Sequence, residues 1–206
     1  MEYPKEPGAK SISIRLISDI TVNDVKSGRS QAIESGPDKL AVTVSYNQGT
    51  FDETGAAGGY ELQALWSFLA RCRGQFNAFN FLVDQVFKDA GGHGGSGVVE
   101  VTVNSGFEVK LASLPAAKTI LKAGNLIQFG NSPRAYILAQ DLKTSAAGKA
   151  TAKLVSPLIM PLPANTSAIT EQIKLRMRLD SNTAALTLSP GRIHSIKSVG
   201  LIEVIE

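Results

Sequence analysis

The 206-residue chain has one cysteine, Cys72. No intrachain disulfide can form, which excludes a small secreted scaffold stapled by disulfides. Histidine is almost as scarce. His93 and His194 are the two present, and neither has a cysteine, histidine or carboxylate at metal-ligand spacing, so no zinc site or other metal is expected. Aromatic residues make up 6% of the chain and include one tryptophan. That leaves little for an aromatic groove of the kind that stacks sugars. Charge of one sign is also missing: the net charge is +3 and the basic residues are scattered. A nucleic-acid surface would need a denser basic stripe interleaved with aromatics. No apolar run approaches the ~18 residues of a membrane-crossing helix, and the N-terminal MEYPKEPGAK has no apolar core of a secretory signal. The expectation is a soluble protein made in a reducing cytoplasm.

What the chain does have is short alternating segments. Ile12, Ile14 and Leu16 alternate with polar residues, as in a half-buried strand. Residues 20–34 alternate weakly around Gly28 and suit a hairpin. Gly36-Pro37-Asp38 reads as a turn. Leu40, Val42, Val44 and Tyr46 then share one strand face, and Ile173, Leu175, Met177 and Leu179 repeat the pattern near the C-terminus. Ala184–Leu188 and Ser198–Ile205 add further strands. One helix is expected over Tyr60–Arg73, with an apolar stripe of Leu62, Leu65, Trp66, Leu69 and Cys72. Arg71 and Arg73 suit its last turn, and Gly74 suits its stop. Trp66 is the expected anchor on the sheet, with Phe79 and Phe81 beneath it. The fold class is therefore mainly β (α+β).

The middle of the chain reads as a separate all-β module. Three apolar runs, Leu126–Phe129, Ala135–Leu138 and Ala150–Val155, are divided by Gly130-Asn131-Ser132-Pro133 and Ser145–Gly148. Val98–Val103 and Glu108–Leu111 precede them, with Asn104-Ser105-Gly106 as a hairpin turn. Glycine-rich Ala90–Gly97 is the expected hinge into the module, and Pro157, Pro161 and Pro163 mark its exit. The strands on either side need each other to complete a sheet. The expected organisation is a discontinuous main domain, 1–93 plus 163–206, carrying an inserted small β-barrel at 94–162. Closing the main domain across an insert is cheap, about 0.6 kcal/mol per doubling of insert length.

Few residues suggest chemistry. Cys72 lies on the helix stripe and reads as a buried, inert thiol rather than a nucleophile. Gly91–Gly97 lacks the Gly-Lys-Ser/Thr of a phosphate-binding loop, and no helix opens after it. Glu108 and Asp141 could form a hydrolytic carboxylate pair only if the fold brought them together. Phe76, Phe79 and Phe81 fit core packing better than a stacking platform. The chain carries no nucleophile–base signature, so no enzymatic activity and no cofactor are expected. Lys174, Arg176 and Arg178 alternate on one strand face, either as a solvated face or as an electrostatic contact.

Taken together, several segments resemble one family. GPDKLAVTVSYNQ, followed by LQALWSFLARCRGQFNAFNFLVD, is similar to the front of phage distal tail proteins. There a strand after a glycine-rich turn leads to a helix, an Arg-Gly pair and an aromatic strand, matched here by Arg73, Gly74, Gln75, Phe76, Phe79 and Phe81. The middle segment resembles the family's small barrel, with Ala123-Gly124, Gly148 and Pro157 in place. Met177, Leu179, Asn182 and Ile202-Glu203 match the returning strands. Asn125 stands where the barrel commonly has an acid, and Lys39-Leu40 where the first strand often has Arg-Trp. The resemblance implies a β-sandwich-like main domain with one packed helix, forming a ring that is usually six-fold. Such a ring joins the tail tube to the tip or baseplate hub of a virion, and the barrel faces outward to hold other tail proteins or a host-binding factor. Lys174, Arg176 and Arg178 are then the candidate subunit contacts. A tail-associated carbohydrate or receptor-binding module is the alternative.

Overall fold

The computed structural model describes residues 1–5, 7–25, 29–50, 59–83, 96–130, 132–183, 185–190 and 193–205. Among the described residues it is mainly β, with 51% strand and 8% helix. The chain divides into two compact units: Met1–Phe81 with Arg176–Glu206, and Leu82–Leu175. The second unit extends beyond 94–162 on both sides. The proline-bearing segment 157–163 runs inside it, where Leu158 and Leu162 are buried in its core.

The first unit begins with a long antiparallel hairpin, β1 (Ala9–Val25) and β2 (Arg29–Tyr46). Gly36-Pro37-Asp38 is not a turn, because β2 runs through it. The register shifts there, between Ile17/Lys39 and Asp19/Gly36. A bulge of this kind accommodates a residue that cannot donate to the ladder. β3 (Gly49–Thr50) and helix α1 (Gly59–Cys72) follow, then β4 (Phe79–Val83). The returning strands are β13 (Ile173–Leu179), which belongs to this unit from Arg176 onward, β14 (Thr187–Ser189), β15 (Ile193–Ser195) and β16 (Ser198–Glu203). One sheet has the order β1-β2-β16-β13-β4, and a small one has the order β14-β15-β3. Leu40, Val42, Val44 and Tyr46 are all buried, as are Ile173, Leu175, Met177 and Leu179.

The helix packs through Leu62, Leu65, Phe68, Leu69 and Cys72, and Trp66 is not its anchor, being 42% exposed. At about 100° per residue, the five buried side chains span an arc of about 120°, and Trp66 falls about 40° past its edge. Phe68 takes the anchoring place. Its ring meets Phe79 and Tyr3 edge-on, at 5.3 and 5.5 Å between centroids. Phe76 also leaves the expected aromatic core and is 80% exposed. The helix ends in a left-handed turn that takes in both Arg73 (φ 52°) and Gly74 (φ 64°).

The second unit contains β5 (Gly97–Val99), β6 (Glu108–Ala112), β7 (Thr119–Leu121), β8 (Leu126–Phe129), β9 (Ala135–Ile137), β10 (Leu142–Lys143), β11 (Ala150–Lys153) and β12 (Ser167–Ile169). Six of these form a sheet in the order β11-β6-β5-β12-β8-β9. Its two edges are tied together: Ala139 N donates to Lys153 O at 2.8 Å, and Val155 N to Ile137 O at 2.9 Å. The curled sheet wraps Val99, Leu111, Ile120, Ile127, Phe129 and Tyr136. The connection from β5 to β6 is wider than a tight turn. β5 stops at Val99, and Val103 bridges to Leu162 instead.

Candidate functional site

Along β13 the apolar residues are buried, while Lys174 and Arg178 are exposed and Arg176 is half-buried. The three do not form one cluster within a unit, because the boundary falls between Leu175 and Arg176. In the second unit the Gln128 side chain fixes the Lys174 backbone, accepting from its N–H at 3.1 Å and donating to its carbonyl at 2.8 Å. In the first unit, register places Arg178 opposite Ile202, Ile202 opposite Ala41, and Ala41 opposite Arg15. Opposed residues share a sheet face, so Arg15 joins Arg178 across the sheet. Sequence alternation already put Arg15 on the polar face of its strand, but only the pairing reveals the row.

A second surface was not read from the sequence. Ile12, Ile14 and Leu16 pair with Val44, Val42 and Leu40, so they continue the core-facing side of the sheet. Yet Ile12 is 43% and Leu16 37% exposed. β16 reaches β2 only at Ala41–Ser45, and β1 is an edge strand. Beyond that overlap the hairpin carries exposed Ile17, Ile20, Val22 and Ile33.

The chemical candidates stay apart. Cys72 is fully buried on the helix stripe, and burial pushes its thiol pKa up, away from nucleophilic character. Asp141 accepts from Ala123 N at 3.0 Å and lies 3.3 Å from Lys122 and 3.8 Å from Lys143. The Ala123 hydrogen bond and the two lysines hold its carboxyl below the usual range. Glu108 pairs with Lys153 at 3.5 Å, so the two carboxylates have separate lysine partners. Phe79 and Phe81 are buried with Tyr3. His194 is half-buried on β15, while His93 and the rest of Gly91–Gly95 lie outside the described residues. Among the described residues no three His, Cys, Asp or Glu side chains gather where a metal could bind, and no helix is long and apolar enough to cross a membrane. A groove of about 510 Å³ in the first unit, lined by Asp180, Ser181, Thr183, Lys197 and Ser198 among others, has no aromatic wall. No family model matches the chain, and no curated protein matches it in sequence.

Proposed function

We propose that the protein is a structural component of a phage tail tip: a ring-forming distal tail protein that joins the tail tube to the tip or baseplate hub of the virion. The observation that carries this reading is the β1–β2 hairpin. A two-stranded ribbon is marginal in water, and an edge strand with exposed apolar residues invites another chain. Ile17, Ile20, Val22 and Ile33 are such residues. A closed ring needs two different faces on each subunit. The hairpin supplies one, and the sheet face bearing Arg15, Arg176 and Arg178 is the proposed other. The groove without an aromatic wall gives no support to the alternative of a glycan-binding module.

The test is the state of assembly. Mass photometry and negative-stain microscopy should find rings, six-fold by the family resemblance. Ile20→Asp with Val22→Asp should reduce the rings to monomers whose circular dichroism is unchanged. Arg176→Glu with Arg178→Glu should weaken assembly in the same way. A wild-type chain that stays monomeric both alone and in tail particles would defeat the proposal. Normal rings carrying both reversed charges would return Arg176 and Arg178 to an ordinary solvated face.

A further inference from the structure

We infer that the second unit binds phosphate-bearing anions in a groove between Lys110, Lys143 and Lys149. The groove has a volume of about 310 Å³. Three separate pieces of chain bring the lysines to it. Lys110 stands on β6 opposite Thr151 on β11. Lys143 ends β10. Lys149 closes the turn after it, where Ser145 N donates to Lys149 O at 2.8 Å and Lys149 N to Ser145 Oγ at 3.3 Å. All three lysines are exposed, and Glu100 is the one acid in the lining. Glu100 pairs with Lys149 and fixes it at the rim. Lys143 makes a long ion pair with Asp141 at 3.8 Å, its own side chain 68% exposed, and an exposed pair of this kind is weak enough for another anion to compete for the ammonium.

The composition of the groove selects the ligand. Its cations are ammonium groups, with no arginine among them. Ammonium groups meet phosphate as point charges, whereas planar carboxylate recognition favours the guanidinium fork. The hydroxyls of Ser145 and Thr151 can donate to further phosphate oxygens. No aromatic ring lines the groove, so neither a stacked base nor a sugar face is favoured. Shallow exposed lysines also make the binding sensitive to salt.

The inference does not rest on ring assembly, and its test uses the full chain labelled with ¹⁵N. Sodium tripolyphosphate is titrated at low ionic strength and again at physiological ionic strength. Saturable amide shifts at Lys110 and within Lys143–Thr151 are expected, with affinity falling several-fold at the higher salt. Lys110→Gln with Lys143→Gln should weaken binding about tenfold or more, while Lys153→Gln on the neighbouring strand position should leave it unchanged. Triglutamate should bind at least several-fold more weakly. The inference is overturned by shifts spread evenly over surface lysines, by equal binding in the double variant, or by triglutamate binding as well as tripolyphosphate.

Discussion

Phe68→Ala tests the packing of the only described helix. Phe68 is 8% exposed, and its ring contacts both Phe79 and Tyr3. Truncating a buried phenylalanine costs about 3–5 kcal/mol, with edge-on aromatic pairs adding to the transfer and cavity losses. For a chain of this size about 2–4 °C of melting temperature goes with each kcal/mol, so the transition of the first unit should fall by about 6–20 °C. Trp66→Arg is the matching control. Trp66 is 42% exposed, and an arginine stem can cover the same flank while its head stays in water. Its cost should be less than half that of Phe68→Ala. Calorimetry on both variants decides the matter, helped by acrylamide quenching, which should reach the single tryptophan of the monomeric hairpin variant. Equal losses, or a tryptophan shielded from the quencher, would refute the assigned helix rotation.

Gly74 has φ +64°, and a Cβ there would come within 2.9 Å of the Asn182 backbone. Gly74→Ala should therefore lower stability by about 1–3 kcal/mol in a urea titration, while Gly8→Ala, with open space around it and no positive φ, should cost less. Gln128→Leu removes both hydrogen bonds that the Gln128 amide makes with the Lys174 backbone and should cost about 1–3 kcal/mol, read as faster hydrogen exchange at Lys174. Tyr3 and Tyr46 share a partly buried hydrogen bond between their hydroxyls. Burial pushes the Tyr46 phenol from its ordinary 10.0 up to about 12, and burial with the neighbouring Tyr46 pushes Tyr3 higher still. The folded state thus keeps protons that the unfolded chain releases. This contribution is intact below pH 10 and is lost as pH rises through the folded values, at about 1.4 kcal/mol per pH unit for each phenol. Tyr46→Phe should flatten that alkaline decline, and a wild-type stability that holds steady between about pH 10 and pH 12 would contradict it.

The strands with one wet face and one dry face were legible in the sequence because burial imposes the same period of two on the residues. Leu40–Tyr46 and Ile173–Leu179 are the clearest cases, and the short apolar runs Leu126–Phe129, Ala135–Leu138 and Ala150–Val155 contain β8, β9 and β11. The helix was legible too, but its rotation was not. Tryptophan's size made Trp66 look like the anchor, although its angular position puts it on the flank. Proline misled twice. Pro37 sits at a bulge inside β2, and the 157–163 segment buries two leucines without regular structure. In both places proline forbids a ladder hydrogen bond but leaves burial possible.

Pairing was the part no local pattern could supply. The alternation of Ile12, Ile14 and Leu16 says that one side of β1 is apolar, and it is equally compatible with a covered side and a bare one. What separates the two is the length of the next strand. β16 pairs with β2 over five residues, Ala41–Ser45, whereas β1 and β2 run together from Ala9 to Tyr46. Ile12 is exposed although its partner Val44 lies within that overlap, because β1 is the edge of the sheet, whereas Ile17, Ile20, Val22 and Ile33 lie beyond it, where the hairpin outruns the short β16 segment, Ser198–Glu203. The same logic explains why the arginine row was hidden. Arg15 and Arg178 are separated by more than a hundred and sixty residues in sequence and come to the same face of one sheet only through the pairing of two intervening strands. Both halves of the proposed assembly surface therefore arise from long-range register. The double variants at Ile20/Val22 and Arg176/Arg178 examine that register from its two sides.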